Sequence, residues 1–561
     1  MRLLREDSAS FAGGVNDASA PDEYLPNQVQ SLVNVRVSPR GNTLEVLRGH
    51  EVLKSGVSST SQLYGLIEFP LANGTIQWVR FVDDEAEYST DEGATWTTIS
   101  GATGLTEEYW SLVIYREGSV NVLCCANGGT NTYQYDGTTW ATISNIENDV
   151  KYLAVMGDRL IAAGHDGISV AASVVGNIDS WATASGGWTV RAITHDGDTE
   201  ITGLFTLGSS VLVFKSESVG FIEGFGFQTL QVSAGARGLS RSTGCVAFRT
   251  IQACGDDGVM WLSKRGFEYF ATGGRIQLAS AQQQKFIAAI STSVIAAHPG
   301  LPCAVWWPSQ REYICALPVA NAAGSEGLGT AANTWAWCFR PQTEITPPAV
   351  HMRSTISSTH DSLTIDSNGE LDLLADDQSG FMGNLANDGS LDVGRMPTPG
   401  RFFSLTNSEL EFSGAGSNEA NSPFWAALAI ASHDGDPDAL IAGGHNQGIY
   451  HLENPAETPL VSIVRTRPFV GGDQFTRKKA KRATVLASQD EAVTGTLTSI
   501  ADGVPGTEHS LAFTANVGEE AQERKARIGG RGRQHVLEYR TEGPQEIRGF
   551  SFEAQPLEDQ S

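Results

Sequence analysis

From about residue 60 to about residue 455, short apolar runs alternate with clusters of Gly, Asn and Asp. SVNVLCCANGG (119 to 129), TYQYDGTTWATIS (132 to 144), SVLVFKSESVGFIEG (210 to 224), GVMWLSKRGFEYFATGG (258 to 274) and LDLLADDQSGFMGNL (371 to 385) follow this pattern. Period-two alternation around a tight polar turn predicts two strands and a hairpin. One phrase comes twice: DRLIAAGHDGISVAASVVGNIDSW (158 to 181) is echoed by LIAGGHNQGIYHLE (440 to 453). A strand-turn-strand unit recurring every 40 to 60 residues or so is in the range of propeller blades.

Two turns are more specific. Ser89-Thr90-Asp91-Glu92-Gly93-Ala94-Thr95-Trp96 fits the Asp-box pattern S-x-D-x-G-x-[TS]-W, and Asp136-Gly137-Thr138-Thr139-Trp140 is a shortened version. The Asp accepts backbone N–H bonds, the Gly supplies positive φ, and the Trp packs beneath the hairpin. These residues are read as structural turn markers. His165 and His445 each follow a Gly in the echoed phrase, which gives them a structural role in matching hairpins.

A helix is predicted only around 280 to 290, where Phe286, Ile287 and Ile290 share a face. Residues 390 to 435 are rich in Gly, Ser, Asn and Pro and predict a long insertion or loop. Beyond about 460 the texture changes to six strand-like runs in about 100 residues, the signature of a small antiparallel sandwich. The expected fold is therefore all-β: a propeller of six to eight blades with a C-terminal sandwich-like domain. Its expected divisions are an arm and entry strand (1–55), the propeller (56–458) and the C-terminal domain (459–561).

Charge sharpens this picture. The chain carries a net −26, and residues 1–460 hold 24 Lys and Arg against 50 Asp and Glu, while 461–561 are balanced. An acidic body has no counterion-release affinity for DNA, so it argues against a protein that grips nucleic acid, though not against one that DNA slides past. The basic clusters of the C-terminal part, Arg477, Lys478, Lys479, Lys481 and Arg482 with Arg531 and Arg533, are read as interface loops between strands. Seven scattered cysteines show no metal or redox spacing and read as buried free thiols in a reducing cytosol. Neither a leader-like apolar region nor a membrane-length apolar run is found.

The search for chemistry finds no phosphate loop, nucleophile elbow, HExxH or EF-hand loop. Paired carboxylates such as Asp83-Asp84-Glu85 or Asp376-Asp377 leave room for a glycan-active propeller, but a sialidase would need clustered arginines, which are sparse before residue 460. No catalytic residue, cofactor or metal is expected.

The opening, Phe11 to Asn16 (FAGGVN), then Leu25-Pro26, Leu32 to Arg36 (LVNVR), Ser38 to Gly41 and Leu47-Arg48-Gly49, resembles the N-terminus of tail nozzle or tail hub proteins of short-tailed phages. Later phrases, among them ITGLFTLGSSVLVFKSESVGFIEG (201 to 224) and GCVAFRT (244 to 250), are similar to the same group. The resemblance covers residues 11 to 290 and, more weakly, the RGR segment at 531 to 533. It implies a virion protein made in the host cytoplasm: a homohexameric ring below the portal and adaptor, lining and gating the channel for DNA and joining tail fibres or tailspikes. The arm residues Phe11, Gly13, Gly14, Asn16 and Asn34 are expected at an interface or in a blade-completing strand, because an apolar, Gly-rich arm has little reason to stay free. The rival classes are a glycan-binding or sialidase-like propeller and a monomeric scaffold of the kelch or WD type.

Overall fold

In the computed structural model, residues 4–8, 10–20, 23–38, 43–48, 50–54, 62–192, 199–223, 231–233, 242–255, 258–271, 275–319, 335–340, 349–354, 362–365, 371–374, 425–444, 448–453, 462–470, 476–489, 491–515, 521–541 and 543–557 are described. Among them, seven successive groups of four antiparallel strands form a β-propeller. Blade 1 spans Leu63–Pro70 to Thr97–Thr103, blade 2 Ser111–Glu117 to Trp140–Thr142, and blade 3 Tyr152–Met156 to Trp188–Arg191. Blade 4 spans Ile201–Leu207 to Gln231–Ser233, blade 5 Gln252–Ala253 to Gln277–Leu278, and blade 6 Cys303–Trp307 to Ala349–Ser354. The echoed phrases are the second and third strands of blades 3 and 7, while His445 itself lies outside the described residues.

Blade 7 closes the ring by joining distant parts of the chain. Trp425–His433, Asp436–Gly444 and Ile449–Leu452 supply three strands, and His50–Lys54 from the start of the chain supplies the fourth. Its first strand packs between those of blades 6 and 1. Local sequence sets the hairpins: Asp434-Gly435, like Gly157-Asp158 in blade 3, places two successive residues at positive φ, the turn that matches the twist of paired strands. The strand Trp425–His433 falls in the segment read as loop. Its Ala-rich sequence, WAALAIASH, has weak β-propensity, and its strand state comes from burial against Leu63 and Leu66 of blade 1.

The C-terminal strands form two further sheets together with the N-terminal arm. Glu546–Pro556 pairs with Lys478–Ser488, Leu4–Ser8 and Leu44–Val46, and the last of these pairs with Val35–Val37. Val29–Val33 pairs with Ser462–Thr466 and meets the outer strand of blade 6 at Val33 and Met352, so one continuous sheet runs from propeller into sandwich. A common core holds Phe11, Val33 and Phe550 of the sandwich with Phe267 and Trp337 of blades 5 and 6. Of the helix predicted around 280 to 290 only Gln284–Ala289 forms, Ile290 being extended, and a second short helix that was not predicted, Thr292–Ala297, follows it. Residues 375–385 and most of 390–435 lie outside the described residues, and no described helix is long and apolar enough to cross a membrane.

Candidate functional site

Strand alternation puts the third turns of blades 1 and 2 and the first turns of blades 3 and 7 at one end of the propeller. There stand the exposed carboxylates Asp91, Glu92, Asp136, Asp158, Asp434 and Asp436. Both turn markers belong to this end, and each clips its blade to the preceding one. In blade 1, Asp91 accepts from the Thr95 N–H (2.8 Å) and from the hydroxyls of Thr95 (2.5 Å) and Ser89 (2.7 Å), while the Trp96 indole donates to the Gly93 carbonyl (2.8 Å). Gly93 has φ +89°, and a Cβ there would stand 2.9 Å from the Trp78 ring, so both backbone and space require Gly. The Arg80 guanidinium lies 4.2 Å over the Trp96 ring and is paired with Glu87. Across the seam, Glu92 accepts from the Asp434 N–H at 3.0 Å.

Blade 2 repeats the device. Asp136 accepts from the N–H groups of Thr138 and Thr139 (2.8 and 2.7 Å), Gly137 sits at φ +98° against Leu71 of blade 1, and Trp140 stacks on Tyr133 at 5.1 Å. Partial burial works against the Asp136 charge, and the threonine donors outweigh it, holding the carboxyl below its ordinary range.

Hydrogen bonds from Thr95 and Ser89 bring the Asp91 carboxyl down to about 2 from an ordinary 3.8. A depressed folded-state value means that this contribution to stability is present above the ordinary value and is lost as pH falls through the depressed one. Asp91→Asn is therefore expected to melt below wild type at pH 6, with the gap closing between about pH 4 and pH 2. Thermal melts at stepped pH check this, and a gap constant down to pH 2 would remove Asp91 as the titrating group.

The arm residues lie inside the chain's own core. Phe11 is fully buried, edge-on to Phe550 at 6.3 Å. A Cβ on Gly13 would stand 2.6 Å from Gln28, and Gly14 adopts φ +60°. Asn16 donates to Gln28 (3.0 Å), and the carbonyl of Asn34 accepts from the Ser462 hydroxyl (3.0 Å). Next to them, Asp17 accepts from the N–H groups of Lys285 and Phe286 (both 3.1 Å), tying the arm to the short helix.

The basic cluster is a correction to the loop reading. Lys478, Lys479, Lys481 and Arg482 belong to the strand Lys478–Ser488, and Arg531 to Arg531–Gly532, which pairs with it. Interspersed Ala480 and Ala483 are buried and let the strand form despite its charges. Lys478 is itself buried, donating to the carbonyls of Thr476 and Arg533, and Arg482 pairs with Glu553 at 3.7 Å. Arg477, Arg531 and Arg533 remain exposed at this end of the sheet.

A group that sequence reading missed lies on the closing seam. Glu51 of the closing strand, His433 and His451 of blade 7, and Glu92 of blade 1 converge there. Glu51 Oε2 is 3.6 Å from His433 Nε2 and 3.7 Å from His451 Nδ1, and Glu92 Oε2 is 2.8 Å from His433 Nδ1. All seven cysteines, by contrast, are buried and in no disulfide, with burial pushing the Cys303 thiol up to about 11 and that of Cys245 up to about 12.

No protein-family model matches the chain, and no curated protein matches it. Solved structures with a similar course include BBS1N in complex with ARL6DN, at 10% identity and TM-score 0.37 over 74% of this chain and 99% of that one. The extracellular domain of the putative one component system BT4673 from B. thetaiotaomicron aligns at 9% identity and TM-score 0.38 over 86% of this chain and 48% of that one. A glycoside hydrolase family 43 arabinoxylan arabinofuranohydrolase from Bacillus subtilis aligns at 10% and 0.23, over 89% and 99%.

Proposed function

We propose that this chain is a virion structural protein, the ring-forming nozzle or hub at the distal end of a short phage tail. The observation that carries the reading is the opening phrase. Its residues Phe11, Val15, Leu32, Val33 and Val35 lie in the core common to propeller and sandwich, so a chain sharing the phrase shares the means of welding these two parts. Charge supports the role: an acidic wall does not retain a sliding polyanion, and residues 1–460 hold 50 acidic against 24 basic side chains. The exposed Arg477, Arg531 and Arg533 complement the acidic turns of a neighbouring copy, a head-to-tail contact of the kind that closes rings. The function is passive, with loops in the lumen holding packaged DNA until receptor engagement shifts the ring to its open state.

Electron microscopy of the purified chain, alone and mixed with portal and adaptor rings, tests this. A sixfold ring with an axial channel that stacks on the adaptor is expected. A monodisperse monomer that ignores the adaptor overturns the reading, and turnover of sialosides or capsular polysaccharides lost with a single carboxylate would replace it with a glycan-active one.

A further inference from the structure

We propose that Glu51, His433 and His451 form a binding site for a divalent transition-metal ion, best suited to Zn²⁺, which staples the closing seam of the propeller. The three residues come from the last, first and third strands of blade 7, and the last of those strands belongs to the start of the chain. Ligands bound tetrahedrally at about 2.0–2.1 Å stand roughly 3.4 Å from one another. The separations of 3.6 and 3.7 Å from Glu51 Oε2 to the two imidazole nitrogens are close to that value and longer than a hydrogen bond.

The buried imidazole of His433 is the independent sign of a ligand. Its residue is 7% exposed, and neither ring nitrogen has a hydrogen bond of acceptable geometry. Polar atoms so buried are ordinarily satisfied. Glu92 stands 2.8 Å from Nδ1, where the orienting carboxylate of a carboxylate–histidine–metal arrangement stands, and this leaves Nε2 to face Glu51. Two imidazoles and one carboxylate suit Zn²⁺ and offer too few oxygens for Ca²⁺. The exposed Asp434, with Oδ2 3.8 Å from His433 Nε2, or a water completes the set.

The test uses the full chain stripped with chelator and titrated with Zn²⁺ by calorimetry, and with Co²⁺ by visible absorption. One ion per chain, ligand-field bands of tetrahedral intensity, and a rise in melting temperature reversed by chelator are expected. His451→Ala and Glu51→Gln should abolish binding, and Glu92→Gln should weaken it by about 10- to 100-fold. Glu51→Gln keeps the test sound if His451→Ala fails to fold, since Glu51 is partly exposed and isosteric with Gln. Absence of saturable binding to the wild-type chain, or unchanged binding in Glu51→Gln and His451→Ala, overturns the proposal. Neither result depends on ring assembly, so this inference and the nozzle reading fail separately.

Discussion

Arg36→Leu is expected to lower the unfolding free energy by about 3–5 kcal/mol, because it removes one side of a buried ion pair and leaves the other side uncompensated. Arg36, on the sandwich strand Val35–Val37, donates to Glu453 at 3.0 Å and to Glu45 at 2.9 Å. The side chains of Arg36 and Glu453 are 17% and 9% exposed, so solvent does little to screen them. Burial alone would lower the Arg36 value, yet Glu453, Glu312 and Glu45 raise it overall, so the pairing outweighs desolvation. Urea denaturation followed by tryptophan fluorescence measures the loss. The double variant Arg36→Leu/Glu453→Leu should recover much of it, since replacing both partners leaves no orphaned charge. A loss below about 1 kcal/mol in the single variant would mean that water reaches the pair.

Glu453 follows Ile449–Leu452, the third strand of blade 7, so this pair spans the joint that the opening phrase also builds. How much of that joint was legible in the sequence follows from the range of the signals. Hairpins such as Ser210–Lys215 with Val219–Glu223 are local, so period-two alternation and a polar turn were enough to place them. The Asp91 turn was legible for the same reason, since its donors lie within a few residues of it. The pairing of Leu4–Ser8 with residues 550 to 554 joins opposite ends of the chain, and no local pattern records it. The Lys-rich strand Lys478–Ser488 looked like loop because its charges masked the buried Ala480 and Ala483.

The Glu51, His433 and His451 group was illegible for a related reason: ring closure assembles it from three segments, so it has no spacing motif. His451 stands in the echoed phrase itself, but of its two histidines only His445 has a counterpart in blade 3. Comparing the two copies for where they differ was the available signal, because a polar residue unique to one blade of a repeat is free of the constraint that blades share.

Deletion of residues 1–55 is expected to abolish cooperative folding, whereas deletion of residues 1–9 leaves a folded chain with a slightly lower melting temperature. The shorter deletion removes only Leu4–Ser8, a half-exposed strand that pairs with Glu546–Pro556 alone. The longer one also removes Val29–Val33, Val35–Val37 and Leu44–Val46 from the two sandwich sheets and His50–Lys54 from blade 7. Phe11, Val15, Val29, Leu32, Val33, Val35, Val37 and Leu44, all nearly or fully buried, leave the common core with it. At about 1.5–3 kcal/mol for each buried apolar side chain, that loss matches or exceeds the whole stability of an ordinary domain, about 5–15 kcal/mol. The strand Ile449–Leu452 would also become an open edge, a template for aggregation. Far-UV circular dichroism melts and size exclusion of both truncations check this. If the chain lacking residues 1–55 were monomeric with a sharp melt near that of wild type, ring closure by His50–Lys54 would contribute little, and the propeller would be held by its remaining blades.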